Sequence, residues 1–150
     1  MASLMDRINI GGVDVRNRTF VCPMAVPHSE SDGEASQWLT DYLIERAKGG
    51  FGLIYMGANM VVRDLEKPEC YILDSWHHST VLSYIVEQLH RYGAKFCCQL
   101  TIGLGRVNFT SPFDPPRSSS ANKSFWFPDL ECNPLTKDEI AHIVDRFGYA

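Results

Sequence analysis

Arg46-Ala47-Lys48-Gly49-Gly50-Phe51-Gly52-Leu53-Ile54-Tyr55-Met56 is the stretch that decides the fold. A helix from Ser36 to Lys48 ends in basic residues, which offset the negative end of its dipole. The glycine pair closes it, because glycine enters the left-handed conformation at little cost. Phe51 to Met56 follows at once as a short, nearly uncharged run, the pattern of a strand buried on both faces. On the helix, Leu39, Tyr42, Leu43 and Ala47 fall on one side. The corner is one turn of a βα repeat.

Similar units flank it. Ahead of it, Ile8 to Val15 alternates apolar and polar residues around Gly11-Gly12, a hairpin signal. Arg18 to Met24 reads as a first strand, stopped by Pro23, and a polar loop over residues 27–35 leads into the helix. Behind the corner, residues 57–78 read as an irregular loop. A second helix runs from about Ser79 to Tyr92, with Val81, Leu82, Ile85, Val86 and Leu89 as its apolar stripe and Gly93 just past its end. Lys95 to Leu100 is the third strand. Residues 101–134 form a long loop with five prolines, in which two short strands are expected around Phe125 to Phe127. Thr136 and Glu139 then mark a capping box, with Leu135 and Ile140 as its hydrophobic staple. Ile140, Ile143, Val144 and Phe147 form the apolar face of the last helix.

A hairpin followed by three strand–helix units places the chain in the α/β class. Parallel strands with right-handed crossovers give an open doubly wound sheet or a (β/α)8 barrel. Three strands cannot close a barrel, so on the barrel reading the chain is an incomplete one with an exposed edge. Its length suggests one domain over residues 1–150.

Composition narrows the partners. The chain is 45% hydrophobic and 21% charged, with a net charge of −4 and no basic block, which argues against a nucleic-acid surface. No apolar run reaches the roughly 20 residues of a membrane helix, and the segment Met1 to Arg7 lacks the core of a signal peptide. Five cysteines, at 22, 70, 97, 98 and 132, include no Cys-x-x-Cys pair. They read as buried free thiols in a reducing cytoplasm, and no metal site is expected.

In a barrel, chemistry collects at the C-terminal ends of the strands. Here these are Cys22-Pro23-Met24-Ala25, Gly57-Ala58-Asn59 and Gln99-Leu100-Thr101. They are poor in titratable groups but offer small residues, accessible backbone and one amide. That suits a flat ligand read by backbone groups, with Gln99 donating to and accepting from a heterocycle edge. Equally, Gln99 ties a loop to its strand. Gly103-Leu104-Gly105-Arg106 fails as a dinucleotide fingerprint because the third glycine and the helix are missing. Arg106 is a candidate for a phosphate or carboxylate contact, or for a pair with a loop acid such as Asp114. His28 is the one candidate general acid, against the plainer reading of a surface histidine. His77-His78 reads as a solvated pair rather than a metal site. Phe125, Trp126 and Phe127 either line an apolar pocket or pin the long loop.

Several of these segments together resemble the old yellow enzyme family of NADH:flavin oxidoreductases. They are Asn17-Arg18 with Cys22-Pro23-Met24, Tyr42 with Arg46 to Ile54, and Gln99-Leu100 with Gly105-Arg106. Gln99 to Arg106 and the later Pro134-Leu135-Thr136-x-x-Glu139-Ile140 are most similar to the branch of 2-enoate, 2,4-dienoyl-CoA and bile-acid 3-oxo-Δ4 reductases. The resemblance implies a TIM (β/α)8 barrel that binds FMN at the strand ends, of which this chain is the N-terminal hairpin and first three βα units. NAD(P)H would be the reductant. The substrate would be a small enone, enoate or acyl-CoA-like molecule, with no nucleic acid or membrane as partner and a homo-oligomer as one option.

Carried over by residue, Pro23, Met24 and Ala25 lie along the flavin, Ala58 flanks it, Gln99 bonds its ring edge, and Arg106 belongs to a Gly-Arg pair facing the substrate or the loop. The family's aromatic or histidine substrate contact near the first strand falls here on Val26-Pro27-His28. The histidine or asparagine pair for the substrate carbonyl, the phosphate loops, and the iron–sulfur and FAD modules of longer relatives have no counterpart in these residues. Two readings follow. The chain is part of an ene-reductase that reduces or forms a C=C bond, or it is an inactive truncated piece that acts through self-association or a barrel-completing partner. A phosphosugar barrel enzyme is a further alternative, but no lysine or phosphate loop supports it.

Overall fold

The computed structural model describes residues 1–24, 32–65, 71–103, 105–108, 111 and 113–150. The chain opens on an antiparallel hairpin, β1 (Ile8–Ile10) and β2 (Val13–Val15). Its turn is Gly11-Gly12, with φ of 56° and 91°, which only glycine adopts freely. There follow β3 (Phe20–Val21), α1 (Gln37–Lys48), β4 (Leu53–Met60), β5 (Tyr71–Ile72), α2 (Trp76–Arg91) and β6 (Lys95–Thr101). The chain continues through β7 (Arg117–Ser118), β8 (Asn133–Pro134) and α3 (Lys137–Tyr149).

The strand of the opening corner, β4, is the axis of the sheet. Leu53 and Ile54 pair in parallel with Phe20 and Val21 of β3 on one side and with Lys95 and Phe96 of β6 on the other. At its far end, Asn59 and Met60 pair with Tyr71 and Ile72 of β5 and with Leu100 and Thr101 of β6. β6 therefore runs beside most of the strand, with β3 as its second neighbour at the start and β5 at the tip.

The helices cover one face. Ile54 and Met56 sit in a core with Leu39, Leu43 and Ala47 of α1 and Ile85 and Leu89 of α2. The alternate residues Leu53 and Tyr55 are half-buried, and Phe20 packs edge-on against Tyr55 with ring centroids 6.0 Å apart. The apolar run from Phe51 thus packs on helices on one side only, where the sequence suggested burial on both. A smaller cluster, Val61, Val62 and Ile143, seats α3.

Arg16 and Asn17 lock the N-terminal ends of the strands. The Arg16 guanidinium donates to the carbonyls of Tyr92 (2.5 Å), Ala47 (2.9 Å) and Phe51 (3.0 Å), so one cation closes the C-terminal ends of both α1 and α2. Asn17 Nδ2 donates to Gly50 O at 2.8 Å, while its Oδ1 accepts from the backbone and hydroxyl of Thr19. Gly50 has φ of 104°, and Gly52 sits so close that an added Cβ would lie 2.5 Å from Asn17 Oδ1. The first of these glycines answers to conformation and the second to space.

Other expectations are corrected. β4 runs on to Met60, α2 begins at Trp76, and residues 57–78 include β5, because the glycine that seems to end the apolar run is absorbed into the strand. The first strand shrinks to Phe20–Val21. Residues 101–134 are organised, but not by strands at 125–127. Arg117 and Ser118 pair with Asn133 and Pro134, and Lys123 bridges Glu131, which leaves Phe125 to Phe127 at the turn between them. The capping box of α3 forms as expected, with Glu139 N donating to Thr136 Oγ1 at 3.2 Å and Thr136 N to Glu139 Oε2 at 2.8 Å. Of its apolar face only Ile143 is buried, while Ile140, Val144 and Phe147 are exposed.

Replacing the central cation tests this arrangement. Arg16→Met removes the donor from three carbonyls and is expected to lower stability by about 3 kcal/mol in urea denaturation. A loss below about 0.5 kcal/mol, the usual effect of a surface change, would show that the three bonds are not linked to folding.

Candidate functional site

The strand ends of β3, β4 and β6 meet at Gly57. Around the position a Cβ would take on this glycine, Gln99 Oε1 lies at 2.6 Å, Pro23 Cβ at 2.8 Å and Pro23 Cα at 3.3 Å. Residues from three separate strands, 23, 57 and 99, therefore converge on one spot. The ladder between β4 and β6 changes register there. Met56 pairs with Cys98 but Asn59 with Leu100, so β4 carries one extra residue at Gly57-Ala58. Such bulges interrupt regular pairing and re-aim the strand end. The bulge is pinned by Asn59, 2% exposed, whose Nδ2 donates to Gln99 O at 3.2 Å.

Of the residues singled out by sequence, Pro23, Met24 and Gln99 are exposed at this rim and Ala58 is half-buried. Ala25 and His28 lie outside the described residues. Arg106 is exposed, and its Nε donates to Lys123 O at 2.8 Å, while Phe125 N donates to Arg106 O at 2.8 Å. Its observed role is to fold the long loop on itself. Phe127 stacks at a tilt on Phe113, with centroids 4.9 Å apart, and Phe125 is exposed. Gly57 and Asn59 were inside the expected strand end but carried no role of their own. The available signal was a glycine interrupting an apolar strand, which suggests a bulge or a close approach.

The rim is electrically quiet. Among its described residues only thiols titrate, and burial pushes the Cys98 thiol up to about 11, so it stays protonated at neutral pH. Cys22 is exposed and Cys132 buried, so the expectation of uniformly buried thiols fails at Cys22, where the strand has already ended.

Charge is gathered on the neighbouring loops instead. Arg63 grips Asp74 through Nε (2.5 Å) and Nη2 (2.6 Å). His78 Nδ1 lies 2.8 Å from Ser75 Oγ and 3.2 Å from Asp74 Oδ1, and its Nε2 lies 3.3 Å from Asp32 O. His78 is 6% exposed, so it is a structural histidine and not half of a solvated pair. His77 is exposed and contacts Glu34, with Asp32 at 3.8 Å. Asp32, Glu34 and His77 are the described residues whose ligand atoms lie close enough to hold a cation, within 4.8 Å of one another. The Asp74 to His78 spacing, i to i+4 across a helix start, was the missed signal for this cluster.

Known proteins resemble this chain in sequence and in fold. The sequence pattern of the NADH:flavin oxidoreductase / NADH oxidase family matches residues 3–150. The cinnamate reductase of Clostridium sporogenes is 32% identical over 97% of this chain, which spans 23% of that protein. The NADH oxidase of Thermoanaerobacter brockii is also 32% identical, with the same two shares, 97% and 23%. The old yellow enzyme homologue from Zymomonas mobilis superposes with a TM-score of 0.79 at 22% identity, covering 97% of this chain and 43% of that one. The fold is therefore that of the opening part of an old yellow enzyme TIM barrel, here an open sheet. The chain spans about a quarter of the length of the two curated relatives.

The charged loops predict an acid limit. The Arg63 guanidinium holds the Asp74 carboxyl below its ordinary 3.8. A carboxylate depressed in the folded state adds stability that is complete above the unfolded value and is lost as pH falls through the folded one. Urea midpoints taken between about pH 5 and about pH 2.5 should fall further in the wild type than in Arg63→Met. Equal falls would mean that the pair does not govern the acid limb.

Proposed function

The chain belongs to the NADH:flavin oxidoreductase / NADH oxidase family, and from that premise we propose that it carries the FMN-facing strand ends of an ene-reductase. The observation that supports this reading is the convergence of Pro23, Gly57 and Gln99, where not even a Cβ would fit at position 57. The residues present suit a flat, hydrogen-bonding heterocycle. Three small or neutral groups form a floor, one exposed amide stands at its edge, and among the described residues of this floor none is charged. When bound, FMN supplies the chemistry of accepting hydride from NAD(P)H and delivering it to the β-carbon of an α,β-unsaturated carbonyl compound.

The chain's own residues bind and orient. Pro23 and Met24 present backbone and apolar surface from the end of β3, and Ala58 does so from the bulge. Gln99 donates through Nε2 and accepts through Oε1, so it can match a donor and an acceptor on one ring edge. Asn59 holds the Gln99 backbone and so fixes where that amide starts. Burial holds the proton on the Cys98 thiol, and His28 is the chain's candidate general acid. Ala25 joins the proposed contacts, and Arg106 acts on the substrate side only through the loop that it folds. The substrate class is a small enone, enoate or acyl-CoA-like molecule. The name of the cinnamate reductase relative supports an enoate. No helix among the described residues is long and apolar enough to cross a membrane, and the free thiols support a reducing cytoplasm as the location.

A second reading rests on the half-open face of the sheet and the exposed Ile140, Val144 and Phe147 of α3. On that reading the 150 residues act only when another polypeptide, a second copy or a barrel-completing partner, covers those surfaces. One experiment separates the two. The purified chain is titrated with FMN and followed by its flavin spectrum, then assayed for NADH oxidation dependent on an added enone. The first reading predicts a yellow complex that Gln99→Ala weakens by about tenfold, the worth of one hydrogen bond. A chain that stays colourless in excess FMN would refute autonomous binding and leave the second reading standing.

A further inference from the structure

We infer that Gly57 is a positioning residue that sets the direction of the Gln99 amide, because the space a side chain would need there is already filled. The inference rests on the FMN reading for its functional consequence, but the contact itself does not. Seven glycines of the chain have positive φ, and Gly57 is not among them. What excludes a side chain is the neighbourhood, with Gln99 Oε1 at 2.6 Å from a would-be Cβ and Pro23 Cβ at 2.8 Å. Both distances lie well inside carbon van der Waals contact.

The two neighbours differ in how they can respond. Pro23 is a ring fused to its own backbone, with its Cα 3.3 Å from the same point, so it yields only if β3 moves. Gln99 has a flexible side chain, but its carbonyl is held by Asn59 at 3.2 Å and its flanking residues Cys98 and Leu100 are in the β4 ladder. A methyl group at position 57 therefore displaces the amide, the end of a flexible side chain, before it displaces the ring of Pro23. The bulge at Gly57-Ala58 has the same effect from the other direction, since it brings the glycine beneath the amide in the first place. The amide that reads the ring edge is thus aimed by the missing side chain of a different strand.

The test uses Gly57→Ala, Gln99→Ala, the double variant, and Gly148→Ala as control, because nothing lies within 4 Å of a Cβ at position 148. FMN affinity is read by quenching of flavin fluorescence. Gly57→Ala should weaken binding by about tenfold, as Gln99→Ala does, and the double variant should be no weaker than Gln99→Ala alone. Gly148→Ala should bind as the wild type. In the cofactor-free chain, the side-chain amide resonances of Gln99 should shift in Gly57→Ala while the backbone amides of Leu53 to Met56 stay in place.

Wild-type affinity in Gly57→Ala, or losses that add in the double variant, would overturn the inference. If the wild type takes up no FMN, the flavin reading fails and the resonances decide alone, with an unmoved Gln99 amide overturning the contact. Should Gly57→Ala not fold, the double variant, freed of the amide, should fold as Gln99→Ala does. Its failure would place the obstruction at Pro23 and overturn the role assigned to Gln99.

Discussion

The guanidinium of Arg16 is the contact on which the rest of the structure depends. It reaches the carbonyls of Ala47, Phe51 and Tyr92, which belong to two helix ends and the approach to β4. A helix C-terminus leaves carbonyls without internal partners and carries partial negative charge. Two such ends brought side by side repel each other and lose solvent. A planar cation with several donors answers both costs at once. Asn17 extends the lock by bonding Gly50 and Thr19, so that β3 enters the sheet at a fixed height beside β4. The register of Phe20 against Leu53 follows from it.

That register carries through to the opposite rim. With β3 fixed at its start, Pro23 arrives level with Gly57, and β6, paired with β4 from Lys95 onward, brings Gln99 to the same level. The extra residue in β4 then lifts the strand end between its two neighbours. Lock and rim are opposite ends of one parallel sheet. The family match, over residues 3–150, spans both ends.

Local chemistry made the repeat legible in the sequence. Arg46 and Lys48 before Gly49-Gly50, the Gly11-Gly12 turn and the Thr136–Glu139 box each act within a few residues, and each stands in the structure where it was read. The features that escaped are non-local. The bulge shows only when Met56 and Asn59 are set against Cys98 and Leu100. The burial of His78 depends partly on Asp32, 46 residues away. The pairing of β7 with β8 closes a loop whose prolines and serines read as irregular. Pro23, Ala58 and Gln99 were legible as strand ends, and the resemblance set them around one ligand, but the close approach of Pro23 and Gln99 at Gly57 was not legible, because it requires β4 to lie between β3 and β6.

The separation of charge from the rim has a chemical sense. Asp32 and Glu34 follow β3 and Arg63 follows β4, and their contacts with Asp74, His77 and His78 hold those segments to the start of α2. Arg146 of α3 joins them through the Asp74 carbonyl at 2.8 Å. An ion-paired network next to the strand ends stiffens the loops without placing a net charge on the floor itself. A floor made of Pro23, Gly57, Ala58 and one amide can tolerate a ring whose electron density changes during a reaction, because no fixed charge there favours one redox state strongly over the other. On the proposed flavin reading, the protein's contribution at this rim is geometric and rests on the aim of a single amide over a glycine.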